Sequence, residues 1–237
     1  MKKSRILGAV CATTFVFSTP SHAVPVSFDF AGAGGDLNTN TLTVNGVTAE
    51  SFYWSGSVWG AADLYQRNTS NDHGLGVCSP PETECQGGTG NAGGGNINEL
   101  SNQEVYEVIR LDKGTNATWV ELWVSSLDSS EIGTLFWGNS SDIDSLLSGG
   151  SSFSYDSTDF GSGVEGDILA LAAAIGFDAA ARYVLFTPGP TALATGNDND
   201  YLVWKGAVNP VPIPAAVWLF GSGLLGLVGI ARCKKAA

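Results

Sequence analysis

Histidine is almost missing from this chain of 237 residues, which has only His22 and His73. His22 falls in an N-terminal segment expected to be removed, so a Ser-His-Asp relay would have to use His73. No Gly-x-Ser-x-Gly elbow and no His-Glu-x-x-His helix motif occurs, which removes the common hydrolase and metalloprotease signals. The glycine-rich run at 87–95 lacks a following Lys-Ser/Thr and a strand-to-helix frame, so it is no phosphate loop. No catalytic residue is assigned, and the chain is read as a non-enzyme. Paired carboxylates are the one catalytic arrangement left open, since a glycosidase needs only two suitably spaced acids. Glu99, Glu104 and Glu107 are the acids to inspect.

Basic residues are scarce too, 11 against 23 acidic. Three of the basic residues lie before residue 6 and three after residue 231, so the intervening body sets five bases against all 23 acids. So acidic a surface repels nucleic acid and anionic lipid, which excludes a DNA- or RNA-binding role and makes cations the expected partners.

Long apolar runs are confined to the two ends. Lys2, Lys3 and Arg5 precede an apolar stretch at 6–17, and Ser21-His22-Ala23 sets small residues before a cleavage point. This is the pattern of a secretory signal peptide over 1–23, with the mature chain starting at Val24. At the other end, residues 214–231 carry no charge. As a helix they reach roughly 27 Å, close to the thickness of a bilayer core. Pro214 suits a first helical turn. Arg232, Lys234 and Lys235 hold the terminal segment 232–237 on the cytoplasmic side and leave the body outside.

The order of short proline motif, hydrophobic helix and basic terminus over 209–237 resembles the PEP-CTERM sorting signal of Gram-negative bacteria. The motif here is Val211-Pro212-Ile213-Pro214-Ala215, so the acidic middle residue is replaced by Ile213 and the tail looks like the Val-Pro-x-Pro-Ala subtype; Cys233 interrupts the basic cluster. The resemblance implies an exosortase-type sorting enzyme as partner, an inner-membrane intermediate, and final display at the cell surface or in the exopolysaccharide matrix. A permanent anchor without processing is the alternative.

The body, 24–208, is long enough for one domain with a core. β-rich stretches at 26–30, 41–44, 51–54, 105–111, 119–125, 134–137, 183–187 and 201–205 are separated by Gly, Asn, Asp and Ser turns. They predict an all-β fold, a single jelly-roll-like β-sandwich. Strict alternation over 119–124 puts Val120, Leu122 and Val124 on one face and Trp119, Glu121 and Trp123 on the other. The alanine-rich segment 167–175 has helix propensity but leads into a strand, so it reads as a short helix or a buried strand, the strand slightly favoured. Residues 68–98 are read as one long irregular loop. His73 to Cys78, Glu99 to Asn102 and Glu107 to Leu111 resemble a recurring exported β-domain found ahead of such tails, which implies display rather than a particular chemistry.

Cys78 and Cys85 are the two cysteines of the body, and an oxidising compartment makes a disulfide their natural pairing. Closing so short a loop stabilises by roughly 2.5 kcal/mol on the chain-entropy argument. No cofactor is assigned. A structural calcium is held open, with Asp198 and Asp200 in Asn197-Asp198-Asn199-Asp200 as the candidates, alongside Asp142 with Asp144 and Asp72 with Glu99. The competing reading of that run is a polar turn before a strand. Exposed tryptophans would serve an exopolysaccharide-binding role, for which Trp59 and Trp123 are least tied to the core. The function expected is thus a structural or adhesive one at the surface, with a carbohydrate-binding module or polysaccharide-active enzyme as the alternative.

Overall fold

A computed structural model of the chain describes residues 23–69, 72–80, 99–102, 105–129, 131–161, 164–189, 199–211, 220 and 224. In chain order the strands are β1 (Val26–Asp29), β2 (Gly35–Asp36), β3 (Thr41–Val44), β4 (Val47–Trp54), β5 (Trp59–Ala61), β6 (Asp63–Asn68), β7 (His73–Cys78), β8 (Leu100–Ser101), β9 (Tyr106–Asp112), β10 (Ala117–Ser125), β11 (Ile132–Gly138), β12 (Ser151–Asp156), β13 (Gly166–Asp167), β14 (Tyr183–Pro188) and β15 (Asp200–Pro210). Helix α1 (Ile143–Gly149) precedes β12, and α2 (Ile168–Ala172) follows β13. Local chemistry is visible in the β3–β4 hairpin. Its two-residue turn is Asn45-Gly46, both at positive φ (50° and 84°), as a type I′ turn requires.

The strands form two antiparallel sheets, so the fold is an all-β sandwich. One has eight strands in the order β13-β10-β15-β7-β6-β2, with β1 and β8 also paired to β15. The other has seven, β12-β11-β14-β9-β4-β3, with β5 paired to β4. β15 is the hub of the first sheet, because its 11 residues pair with β10 along one side and with β1, β7 and β8 elsewhere. It is also the last strand among the described residues.

Inward faces of both sheets meet in a core containing Phe28, Phe30, Leu64, Leu75, Ile109, Leu111, Trp119, Leu135, Tyr155, Phe186 and Tyr201. The residues of alternate parity on the seven-stranded sheet make a second apolar cluster on its outer side. Tyr106, Val108, Phe136, Tyr183 and Leu185 are capped there by Ile143 and Leu146 of α1 and by Trp54 and Trp59 at the β4–β5 hairpin. The Trp59 indole N–H donates to Asp144 at 2.9 Å and fastens that hairpin to α1. Both faces of this sheet therefore carry an apolar cluster.

Four expectations change. The face assignment on β10 fails because the ladder shifts register between Trp119 and Glu121 and again between Leu122 and Val124. The first shift inserts a residue into β10, so Trp119 joins Leu122 and Val124 in the core while Val120 is 46% exposed; the second puts the extra residue in β15. The segment 167–175 is helical: Asp167 caps α2 by accepting from Leu169 N–H at 3.0 Å, a short 3-10 turn follows over Ala173–Ile175, and Gly176 ends it at φ 90°. Alanine propensity with a good cap outweighs the pull of the neighbouring strand. The loop expected over 68–98 contains β7, a central strand concealed by its glycines. The body runs past 208, since Asn209 and Pro210 pair with Thr118 and Ala117, and Val211 N–H reaches Asn116 O at 2.8 Å.

The chain divides into two units, Val24–Val211 and a second comprising Met1–Ala23 with Pro212–Ala237. Of the second, only Ala23, Phe220 and Leu224 are described. Among the described residues no helix is long and apolar enough to cross a membrane. The expected signal peptide, Pro212 to Ala215 of the sorting motif, most of the helix at 214–231, and Arg232, Lys234 and Lys235 lie outside the described residues.

Candidate functional site

Acidic side chains gather where the ends of six strands converge. Arg67 stands at the end of β6, Asp72 just before β7, Glu99 just before β8, Ser126 after β10, Glu131 before β11, and Asp200 opens β15. Glu99, Glu131 and Asp200 are 1%, 4% and 1% exposed. Three buried carboxyl groups in one place require either cations or protons.

Arg67 supplies one cation. It forms an ion pair with Glu99 and stands 3.7 Å from Asp72. The same Glu99 Oε1 accepts from the Ser126 hydroxyl at 2.8 Å, and Ser126 Oγ also lies 3.2 Å from Asp72 Oδ1. Ser126 reaches both because its backbone is left-handed, φ 62°. Protons supply the rest. Asp200 hydrogen-bonds the carboxyls of both Glu99 and Glu131. Burial pushes Glu99 up to about 8, with Asp200 adding to the rise and Arg67 opposing it. Burial pushes Glu131 up to about 10, reinforced by its hydrogen bond to Asp200 and by the charges of Asp200 and Glu99. At neutral pH Glu131 is a neutral acid.

Amides complete the arrangement. Glu131 accepts from Asp128 N–H and returns its own N–H to Asp128 O at 3.1 Å. The Asn199 side chain accepts from Ile132 N–H at 2.8 Å, Asn199 N–H reaches Asn102 Oδ1 at 3.3 Å, and Ser101 N–H donates to Glu107 at 3.1 Å. The cluster ties the starts of β8, β11 and β15 to the end of β6. Carboxyls that hydrogen-bond one another leave no room for a sugar ring between them, and a glycosidase needs about 5 Å or more of separation. The arrangement can hold and release protons. It offers no surface to a glycan.

The residues singled out by sequence are distributed as follows. Glu99 lies in the cluster, Glu107 is buried beside it and is 0% exposed, and Glu104 is outside the described residues. Asp72 and Glu99 do come together, bridged by Arg67 and Ser126. Asp198 lies outside the described residues, and Asp200 faces carboxyl groups. Among the described residues no group of three or more His, Cys, Asp or Glu is arranged to hold a metal ion. Asp142 caps α1 by accepting from Ser145 N–H at 2.8 Å, and Asp144 holds Trp59. Cys78 is disulfide-bonded; Cys85 is outside the described residues. Arg67 and Glu131 were missed, and a lone arginine at the end of an unrecognised strand carried no signal of its role.

A second grouping lies on the outer side of the eight-stranded sheet. The Trp204 ring has His73 stacked on it at 5.0 Å and the Lys205 ammonium 3.7 Å from its centroid. Trp123 meets Trp204 edge-on at 5.9 Å and donates its indole N–H to Glu121 at 2.6 Å. His73, which the sequence placed in a loop, begins β7, with Nε2 3.8 Å from Glu165. Of the other tryptophans, Trp119 and Trp137 are in the inter-sheet core, and Trp54 and Trp59 cover the opposite sheet. Trp123 and Trp204 are the half-buried pair that faces outward. No protein-family model, no curated protein and no solved structure matches this chain.

Proposed function

We propose that this chain is an exported jelly-roll protein, carried by its C-terminal tail to the envelope surface or extracellular matrix of a Gram-negative bacterium, where its role is structural or adhesive. One relation carries the reading: the last described strand ends at Pro210, and the Val211-Pro212-Ile213-Pro214-Ala215 motif starts at the next residue. A proline at 212 has no N–H with which to extend the ladder, so the sheet stops where the sorting motif begins.

Other features support it. The interleaved orders β7-β15-β10-β13 and β9-β14-β11-β12 support the reading as an eight-stranded jelly roll. The compact unit starts at Val24, the residue after the candidate signal cleavage. The pairing of Cys78 with Cys85 belongs to the same proposal and suits an oxidising compartment. The tail would cross the inner membrane with Arg232, Lys234 and Lys235 inside, and an exosortase-type enzyme would cut near the proline motif.

The test is the mass and location of the mature protein in its native host, with and without the sorting enzyme. Loss of residues after the motif, dependent on that enzyme, is the expected result. An intact C-terminus retained in the inner membrane would leave a permanent anchor instead, and an Ile213→Glu variant asks whether the enzyme reads the middle residue.

Carbohydrate binding is the second reading, and the outward Trp123 favours it. The Lys205 ammonium stands over both rings, 3.7 Å from the centroid of Trp204 and 4.7 Å from that of Trp123, and Trp204 also carries the stacked His73. Retention of the protein on exopolysaccharide, lost in Trp123→Ala, is its expected signature; equal retention of both proteins would remove it.

A further inference from the structure

The two sheets end differently. The outermost strands of the eight-stranded sheet, β13 and β2, have two residues each, and edges so short offer little backbone to another chain. Strand β12 at the edge of the seven-stranded sheet has six residues, pairs among the described residues only with β11, and carries no charge from Ser151 to Tyr155. Exposed edges are usually blunted by lysine, proline or a bulge. β12 has none of these, in a body where charged side chains are overwhelmingly acidic.

Which main-chain groups face outward follows from a single contact. Asp156 N–H is taken by Asp159 Oδ2 at 2.9 Å, so residue 156 directs its main chain away from β11. Alternation along an antiparallel ladder gives Ser154 and Ser152 the same direction. Both are exposed, and their outward N–H and C=O meet no other strand among the described residues. The next position in the series, Gly150, has its N–H bonded to Leu146 O at 3.0 Å. The edge therefore presents two residues with available donors and acceptors, bounded at each end by one whose donor is used.

We propose that β12 is a self-association edge, pairing antiparallel with β12 of a second copy of this chain about a two-fold axis at Phe153. In that register Ser152 of each copy exchanges two main-chain hydrogen bonds with Ser154 of the other. A shift of the axis to residue 154 would set Ser152 against Asp156, and a shift to 152 would set Ser154 against Gly150, each with a donor already used. Asp156 lies opposite Gly150, away from its own copy, so no like charges meet. The two Phe153 rings face each other across the axis in the close, non-hydrogen-bonded position. The operation is closed, so the product is a dimer with one continuous sheet, not a filament.

Charge pairs placed on the exposed serines test the register. In the full-length chain in mild detergent, Ser152→Lys with Ser154→Lys puts like charges opposite one another and is expected to weaken dimerisation at least about tenfold by sedimentation. Ser152→Lys with Ser154→Asp puts opposite charges across the same axis and is expected to restore it. Unchanged circular dichroism melts verify folding of both variants. A wild type that stays monomeric at the highest attainable concentration overturns the proposal. So does a dimer indifferent to the double lysine variant, or a lysine–aspartate variant that dimerises no better than the double lysine one.

Discussion

Asp200 and Glu131, brought together from the starts of two neighbouring elements in different sheets, hydrogen-bond through their carboxyl groups in the sealed end of the sandwich. A hydrogen bond between carboxyls requires a proton, so folding stabilises the neutral acid.

This sets the sign of the alkaline limb. Glu99 and Glu131 have folded values raised from 4.5 to about 8 and about 10. Their contribution to stability is fully present below 4.5 and is lost as pH rises through 8 and then 10. The expected outcome is a melting temperature that falls steadily from about pH 5 and levels off above pH 10. Glu131→Gln keeps an acceptor for Asp128 N–H and a donor for Asp200, so it mimics the protonated acid. At pH 10 it should melt roughly 5 °C or more above the wild type, and near it at pH 5. Parallel melts across that range decide the matter, and a variant with the same alkaline slope as the wild type would show that Glu131 is not the titrating group.

The acid limb has a different origin. Burial raises Asp112, but the Arg182 guanidinium, donating at 2.9 and 2.8 Å, and Gly114 N–H hold it below the ordinary carboxylate range. A lowered value stabilises above the unfolded pKa and is lost as pH falls through the folded one. Arg182 is partly exposed, so solvent screens the pair. Asp112→Asn should cost about 1 kcal/mol at pH 7 and nothing measurable below pH 2. Urea titrations at the two pH values test this.

Gly74 should be the least replaceable glycine of β7. At φ 127° it already excludes most side chains, and a Cβ there would lie 2.4 Å from Val203 O and 2.7 Å from Trp204 Cα, both backbone atoms of β15. Gly74→Ala is expected to destabilise by roughly 3 kcal/mol. Gly114→Ala, with φ 71° and nothing within 4 Å, should cost only about 1 kcal/mol. Equal costs in chemical denaturation would mean that the close approach to β15 is not what restricts the site.

How much was legible depends on what each segment spends its side chains on. Strands rich in valine, isoleucine and aromatics, such as β9, β10 and β14, announce themselves. β7 does not, because Gly74 is there to let β15 approach, and β12 does not, because its serines face solvent at an edge. The β10 faces were misread because a bulge has no letter in the sequence. For the site, Glu99, Glu107 and Asp200 could be picked as acids of interest, but their meeting with Glu131 is set by strand order, which composition does not carry.

The helical reading of 168–172 can be tested through its cap. Asp167 Oδ1 accepts from both Leu169 N–H at 3.0 Å and Leu122 N–H at 3.1 Å, joining α2 to β10. Asp167→Ala should cost about 1 to 2 kcal/mol. Amide exchange should accelerate first within α2; uniform acceleration across the sandwich would argue against a local cap.

The position of β15 governs when this protein becomes a folded object. Strands β1, β7, β8 and β10 are all made earlier, yet each waits for residues 200–210 to give it a neighbour in the middle of its sheet. A chain emerging from its N-terminus therefore cannot close this sheet until residues 200–210 are out, because the pairings that close it join distant parts of the sequence. Under the export proposed above, late closure would be an advantage: the order of the strands would act as a clock that delays folding until transit is nearly finished.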